Sequence, residues 1–139
     1  MGLRRTAREC ALQMLYQRDI GGQEREEILD SYWRTHAYPE KVREFANHLF
    51  EGCLARLAEI DRLIQSRAKN WRLRRMAAVD RNILRLAVFE LTSEDRTPST
   101  VVINEALEIA KKFSTHESAQ FVNGVLDSIR KDLHPEEAH

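Results

Sequence analysis

The sequence has few residues that interrupt or cross-link a chain. Its 139 residues include five glycines and three prolines, which disfavours a many-turned β fold and favours helices. Cys10 and Cys53 are far apart and form no CxxC pair, so we expect reduced thiols in a cytoplasmic protein. No stretch approaches the length of a membrane span, and the charged N-terminus is unlike a signal peptide.

The motifs of common enzymes are also missing. The sequence contains no GxGxxG, GxxxxGK[ST], HExxH or GxSxG string, and these motifs mark dinucleotide, phosphate, zinc and serine-hydrolase sites. The five histidines have no histidine or cysteine partner at metal-ligand spacing. We therefore predict a protein that is not an enzyme and has no cofactor and no metal.

The charge is balanced overall but uneven along the chain. The 22 basic and 22 acidic residues give a formal net charge of zero, which alone does not favour nucleic-acid binding. Between Arg67 and Arg85, however, there are seven basic residues and one acid, Asp80. Such a local basic surface can attract phosphate even when the whole protein is neutral.

Apolar residues recur at intervals of three and four, which is the period of an amphipathic helix. The pattern predicts an all-α fold of about seven helices with no convincing strand. The predicted helices cover residues 3–19, 24–35, 39–57, 58–68, 77–92, 98–113 and 115–133. We expect two packed helical subdomains, with three helices in residues 1–57 and four in residues 58–133, and a frayed tail at 134–139.

Local motifs predict where several helices begin and end. Gly21 and Gly22 are suited to a left-handed cap at the end of the first helix. The pair Thr97–Pro98 reads as a cap followed by proline at the first helical position, after a polar loop at 93–97. Ser114 and Glu117 have the spacing of a capping box at the start of the seventh helix.

Two residues are unexpected at their helical positions. Gly124 lies inside the seventh helix, where glycine costs about 1 kcal/mol relative to alanine, so we expect another backbone to pack closely there. Glu90 shares a face with the apolar residues of the fifth helix, and a buried carboxylate must be paired or hydrogen-bonded. An arginine or a free helix-end N–H could be its partner.

Three arginines stand near the start of the first helix. Arg4, Arg5 and Arg8 are neighbours on one helix surface and fall off its apolar stripe. A guanidinium group can donate two parallel hydrogen bonds to phosphate, which suits RNA binding. The same residues also fit a solvated face balanced by Glu9, and on the residues alone the two interpretations are equal.

An aromatic residue near the seventh helix offers a second possible RNA contact. Phe121 follows Gln120 and lies close in sequence to Lys112 and His116. Single-stranded RNA is commonly held by a basic path and an aromatic platform for its bases. Periodicity alone favours a core role for Phe121.

Four strings, taken together, resemble the bacterial NusB family of transcription antitermination factors. They span nearly the whole chain in the order of the family, and any one alone would be weak. They are RRTARECALQMLY at 4–16, NILRLA at 82–87, VINEALEIAKKF at 102–113 and FVNGVLD at 121–127. The resemblance implies an all-α fold of two helical subdomains, in agreement with the helix count.

The resemblance also implies a function and partners. Members of this family bind the boxA element of nascent ribosomal RNA leaders as a heterodimer with NusE, which is ribosomal protein S-ten. The complex joins RNA polymerase and other Nus factors, so that transcription reads through terminators.

Carried over by position, the resemblance implies two groups of site residues. The RNA-binding group is Arg4, Arg5, Arg8, Lys112, Glu117, Gln120 and Phe121. The NusE-binding group is Tyr16, Asp80, Arg81 and Arg85. Asp80 replaces an expected glutamate, and its shorter side chain could shift or weaken a salt bridge. The basic run Arg72, Arg74 and Arg75 either extends the RNA path or alters the charge presented to the partner.

Two other functions are consistent with a helical chain of this kind. Helical domains similar to NusB also occur fused to ribosomal-RNA cytosine methyltransferases, but the cofactor-binding α/β domain and catalytic cysteines of those enzymes are missing from this sequence. The other alternative is a protein-only helical adaptor, or a homodimer that covers its RNA surface, in which the arginines are merely solvated.

Overall fold

The computed structural model describes residues 2–93 and 97–137, without the side chain of Glu137. Within these ranges the chain forms seven α-helices and no strand, which confirms the predicted fold class. The helices are α1 (Leu3–Gly21), α2 (Arg25–Thr35), α3 (Glu40–Ala55), α4 (Leu57–Arg67), α5 (Ala78–Thr92), α6 (Ser99–Phe113) and α7 (His116–Leu133). Short 3₁₀ turns occupy Leu73–Arg75 and Pro135–Glu137. The predicted loop at 93–97 and the end of the predicted tail lie partly outside the described residues.

Helix α5 is the centre of the fold. Every residue from Asp80 to Leu91 is buried, and α5 packs against α1, α3, α4, α6 and α7. A helix that is buried all round must satisfy its polar side chains internally, because water cannot reach them. Helix α1 contacts α2 and α3 on one side and α5 on the other, so it joins the two halves of the chain. The division into two subdomains stays a prediction.

Of two glycines inside helices, one lies at a close helix crossing and the other does not. A Cβ atom on Gly52 of α3 would lie 2.2 Å from the ring of Phe89 on α5, so a larger residue there would force that ring to move. At Gly124 an added Cβ would meet no atom within 4 Å. The expectation of a close backbone at Gly124 is therefore wrong, and the close approach lies at a glycine that helical periodicity did not single out.

The helix ends confirm one local prediction and shift two others. Gly22 has φ 68° and its N–H donates to the Arg18 carbonyl, as expected for a left-handed cap. Helix α6 begins at Ser99 with Pro98 as its cap residue. The cap of α7 is Thr115, whose hydroxyl accepts the Ser118 N–H at 3.0 Å, so the predicted capping box at Ser114 is wrong by one residue. Two hydroxyl residues in a row make both registers possible in the sequence.

Both cysteines are buried and neither forms a disulfide. Burial raises the pKa of the Cys10 thiol and of the Cys53 thiol. Thiols in such surroundings are inert as nucleophiles, because the reactive form is the thiolate. In the part of the chain that the structure describes, no helix has both the length and the apolar character needed to cross a bilayer.

Candidate nucleic-acid and partner interface

The arginines of α1 differ widely in burial. The guanidinium of Arg8 donates from Nε to Glu90 Oε2 at 2.7 Å and from Nη2 to Oε1 at 2.9 Å. The two side chains are 5% and 2% exposed. Of the two partners predicted for Glu90, an arginine or a free helix-end N–H, the structure has the arginine. The expectation that Arg8 lies off the buried face of α1 is wrong, because Glu90 on α5 provides a buried carboxylate for it.

Arg5 lies one turn closer to the N-terminus and is partly exposed. It forms a bidentate pair with Glu105 of α6, with Nε–Oε1 and Nη2–Oε2 distances of 2.7 Å. The hydrogen bonds and charge of Glu105 raise the pKa of Arg5, and the Arg5 hydrogen bonds lower the pKa of the Glu105 carboxyl. Arg5 retains 31% of its side-chain exposure, so one edge of this pair faces solvent.

Arg4 is the exposed member of the group. Its guanidinium carbon lies 4.1 Å from the centroid of the Phe45 ring on α3, which is a cation–π distance. Arg4 lines a cleft of about 490 Å³ together with Lys41, Glu44 and His48 on α3. It also lines a second cleft of about 300 Å³ beside α6. We call Arg4, Arg5 and Arg8 the α1 arginine group.

Lys112 joins this group from α6. Its ammonium lies 3.1 Å from both carboxylate oxygens of Glu9 on α1, and its side chain is 59% exposed. The structure therefore brings Lys112 to the same helix as Arg4, Arg5 and Arg8. Glu9, which could have balanced the charge of the three arginines, is paired with Lys112 instead.

Phe121 belongs to a different place, a groove between α7 and the segment before α5. Its ring contacts Trp71 edge-to-face, with 6.3 Å between ring centroids, and it also packs on the core. The groove has a volume of about 320 Å³. We call it the Trp71 groove; its lining residues are Trp71, Arg75, Met76, Ala77, Asp80, Glu117, Ser118 and Phe121. Gln120 is exposed on α7 next to this lining.

Asp80 lines the Trp71 groove and bonds to α7. Its Oδ2 accepts the Ser118 hydroxyl at 2.9 Å. Its Oδ1 is buried and accepts no hydrogen bond from any described residue. Asp80 thus differs in surroundings from Arg81 and Arg85, with which the resemblance groups it.

Arg81 and Arg85 converge on carboxylates from α1 and α4, and we call them the α5 arginine group. Arg81 Nε and Asn82 Nδ2 donate to Asp19 Oδ2 at 2.8 and 3.0 Å. Arg85 donates to both oxygens of Asp61 at 2.8 and 2.9 Å. The two arginine side chains are 9% and 11% exposed.

These donors act on the protonation of Asp19. Burial alone raises its pKa, but hydrogen bonds from Arg81 and Asn82 and the charge of Arg85 outweigh burial and lower it below the ordinary aspartate value. The group borders a cleft of about 680 Å³ that also includes Arg72 and Arg74. Tyr16, 41% exposed, lies one turn before Asp19 on α1.

Sequence reasoning missed the acidic partners of both arginine groups. Glu105, Asp19 and Asp61 are far in sequence from the arginines they bind, and nothing in helical periodicity connects them. Trp71 begins the basic run for which the sequence left two roles open, an extended RNA path or an altered partner charge, but it was not predicted as a site residue in its own right. Within the described residues, no group of histidine, cysteine and acidic side chains is arranged to hold a metal ion.

Comparison with known proteins agrees with the architecture and the motifs. A model of the NusB family matches residues 5–131. The transcription antitermination protein NusB of Koribacter versatilis is 51% identical over 97% of this chain and 93% of its own length. The T. maritima NusB structure has a TM-score of 0.86 and 38% identity, covering 97% of this chain and 95% of that one.

A further solved structure is a complex described as antitermination factors NusB and NusE with double-stranded RNA. It is matched with a TM-score of 0.85 and 29% identity, over 95% of this chain and 98% of that chain. Fold, motifs and sequence identity over nearly the full length agree, and the chain belongs to the NusB family.

Proposed function

We propose that this protein acts as an antitermination factor that binds the boxA element of nascent ribosomal RNA together with NusE. The observation that carries the proposal is the α1 arginine group, in which Arg8 is locked to Glu90 while Arg4 and Arg5 remain accessible. A helix that is anchored to the core on its buried face and carries cations on its exposed face suits phosphate binding. Its relative in the complex with NusE and RNA supports the choice of partners.

The residues of the proposed RNA surface have different roles. Arg4, Arg5 and Lys112 are exposed enough to contact phosphates directly. Arg8 acts through Glu90 by holding the N-terminal half of α1 against α5. Glu117, Gln120 and Phe121 continue the surface along α7, where an aromatic ring and hydrogen-bonding groups suit bases more than phosphates.

The proposed NusE surface surrounds the α5 arginine group. Tyr16 offers an exposed aromatic ring with a hydroxyl, a residue type that is enriched in protein interfaces. Arg81 and Arg85 are held by Asp19 and Asp61 in a cleft that can accept a partner segment. With NusE and RNA polymerase bound, the chain works as a non-catalytic adaptor on the transcript, in the cytoplasm.

The salt dependence of RNA binding tests the proposal. Each phosphate contact to single-stranded RNA contributes about 0.7 to the slope of log affinity against log salt. The double variant Arg4→Ala, Arg5→Ala is therefore expected to bind boxA RNA more weakly and to flatten the slope by about 1.4. Arg8 is left intact, because removing it would expose Glu90 and confuse binding with unfolding.

The double variant Arg25→Ala, Arg34→Ala is the matched control. Both arginines lie on α2, pair with acidic residues as Arg5 does, and are 47% and 68% exposed. The control removes the same charge from another surface and should leave the slope unchanged. An equal change in both double variants would contradict a specific RNA surface on α1. A chain that binds no boxA RNA with or without NusE, and that scatters light as a dimer, would instead support the homodimeric adaptor.

A further inference from the structure

We propose that the Trp71 groove is a nucleobase pocket that selects guanine. The inference rests on the proposed RNA-binding function and adds to it a base-specific site. It also gives the basic run before α5 a role, since the residues of that run border the groove on one side and the α5 arginine cleft on the other.

The aromatic wall of the groove is ready to stack on a base. The Trp71 side chain is 57% exposed although its indole is large and apolar. Its ring meets the Phe121 ring edge-to-face, and the rest of the exposed indole surface is available to a base. Stacking of a base on such a face is worth about 1–3 kcal/mol in single-stranded RNA complexes.

The backbone that carries Trp71 is held in place by one side chain of α4. Gln65 donates from Nε2 to the carbonyls of Ala68 and Trp71 at 3.2 and 2.8 Å. Its Oε1 accepts the N–H of Leu73 at 2.8 Å. Three such bonds fix the backbone of this irregular segment, so less backbone entropy is lost when a ligand binds there.

The floor of the groove carries a carboxylate that needs a donor. Asp80 is 8% exposed, its Oδ2 accepts only the Ser118 hydroxyl, and its Oδ1 accepts nothing from the described residues. A buried carboxylate oxygen without a partner is costly. A ligand that supplies N–H groups would satisfy it.

Guanine is the base whose chemistry fits this floor. Its ring N1–H and exocyclic amine are two adjacent donors that a carboxylate can accept together. Adenine, cytosine and uracil each place a ring nitrogen or carbonyl acceptor beside their donor, which a carboxylate repels. Asp80 and Glu117 repel phosphate, so the base rather than the backbone enters, while Arg75 and the neighbouring Arg72 and Arg74 attract the flanking phosphates.

A basic side chain of a protein partner is the competing occupant. Arg75 in the same lining already supplies one positive charge to the groove, which disfavours a second cation. The flat, exposed indole also favours a planar ring. These two features make the base the better match.

Tryptophan fluorescence of the full chain can test the pocket directly. The chain has two tryptophans, and the other, Trp33, is partly buried and donates to Asn47 at 2.7 Å. In a Trp33→Phe background, Trp71 is therefore the only indole reporter. The probes are short oligouridines that carry a single guanosine or a single adenosine at the same position, added with and without NusE.

The guanosine probe should quench Trp71 and bind about tenfold more tightly than the adenosine probe, the discrimination expected of a bidentate pair. Asp80→Asn should bring the ratio close to one, because the amide replaces one acceptor oxygen with an NH₂ donor, which repels one of the two adjacent N–H groups. Trp71→Ala, which leaves no indole in this background and is therefore followed by the anisotropy of a labelled probe, should weaken binding of the guanosine probe about tenfold. Tyr38→Ala, which removes an exposed aromatic side chain (45%) from the loop between α2 and α3, should change neither value.

The outcomes separate this inference from the proposed function. Equal binding of both probes, with Trp71 fluorescence unchanged and boxA binding intact, would overturn the pocket and leave the proposed function standing. Quenching by NusE but not by RNA would show a protein contact and overturn the pocket as well. If no RNA binds under any condition, both proposals fail. Asp80→Asn is interpreted only if its thermal unfolding matches wild type; otherwise Trp71→Ala, on the exposed ring, decides.

Discussion

Both arginine groups of this protein pair with carboxylates of other helices, but they differ in how much of each arginine is exposed to solvent. The α1 arginine group binds carboxylates of α5 and α6, and the α5 arginine group binds carboxylates of α1 and α4. In the α1 group exposure rises from Arg8 through Arg5 to Arg4. In the α5 group both arginines stay buried and each carboxylate has several donors.

This difference in exposure suits the two arginine groups to different tasks, one to attracting a polyanion and the other to selecting a partner. The three arginines of the α1 group face two paired carboxylates, Glu90 and Glu105, so a positive charge remains on the outside of the helix. The two arginines of the α5 group are balanced by Asp19 and Asp61, so the positive charge of that cleft comes from Arg72 and Arg74 at its edge. Exposed cations attract a polyanion from a distance, whereas buried and paired polar groups favour a partner by shape and hydrogen-bond geometry.

The largest effect is expected at the buried end of the α1 group. Removing one partner of a buried ion pair typically costs about 3–5 kcal/mol, so Glu90→Ala should lower the free energy of unfolding in urea by that amount. The double variant Arg8→Leu, Glu90→Leu should recover most of the loss, because no charge is left buried without a partner. A loss below about 1 kcal/mol in the single variant would mean that water reaches Arg8.

A smaller loss is expected in the α5 group. Asp61→Ala removes two acceptors of Arg85, but Asp19 and Asn82 still contact that guanidinium. The loss should be about 1–3 kcal/mol, the cost of a partly satisfied buried donor. Glu59→Ala on the same helix removes an exposed pair with Arg56 and should leave the urea midpoint unchanged. Equal effects of the two variants would contradict a buried polar cluster.

Acid should weaken both groups through their carboxylates. Asp19 and Glu105 have folded pKa values below their ordinary ones. Their contribution to stability is complete above the unfolded pKa of about 4 and is lost as the pH falls through the folded pKa. Asp19→Asn should therefore flatten the fall in stability below about pH 4 more than Glu105→Gln, because Asp19 has three donors. Thermal unfolding across pH measures both, and the reverse order would contradict the comparison.

The smallest stability effect is expected at Arg5. Its pair with Glu105 is partly exposed, so Arg5→Ala should cost less than about 1 kcal/mol while weakening boxA binding at low salt. Arg8→Ala should show the opposite pattern, with a large loss of stability. Parallel urea and RNA-binding titrations compare the two variants, and a similar ratio of the two losses in both would mean that the α1 group is one functional unit.

The sequence predicts the helices well because their periodicity is local. All seven helices and the left-handed cap at Gly22 follow from residues within one or two turns. The errors arise where a residue far away in the sequence determines the burial or packing of a side chain. Arg8 looks solvent-facing until Glu90, on another helix, is placed beside it. The tight position is Gly52 rather than Gly124, because only the crossing with Phe89 on α5 makes it tight.

The candidate site shows the same limit. The resemblance assigns Asp80, Arg81 and Arg85 to one partner contact, and that assignment stays a prediction. On a helix buried all round, consecutive residues point to different neighbours, so Asp80 meets α7 while Arg81 reaches α1. The contact between Trp71 and Phe121 joins residues that no local pattern connects, and it could not be predicted from the sequence.

The pairing of Asp19 with Arg81 has a mechanical consequence for α1. Arg8 fixes this helix to α5 near one end and Asp19 fixes it to the same helix near the other. Between Arg4 and Asp19 a helix rises about 22 Å at 1.5 Å per residue. Because both ends of α1 are anchored to α5, the distance between them is fixed. Partners that bind at the two ends of α1 are therefore held at a constant separation.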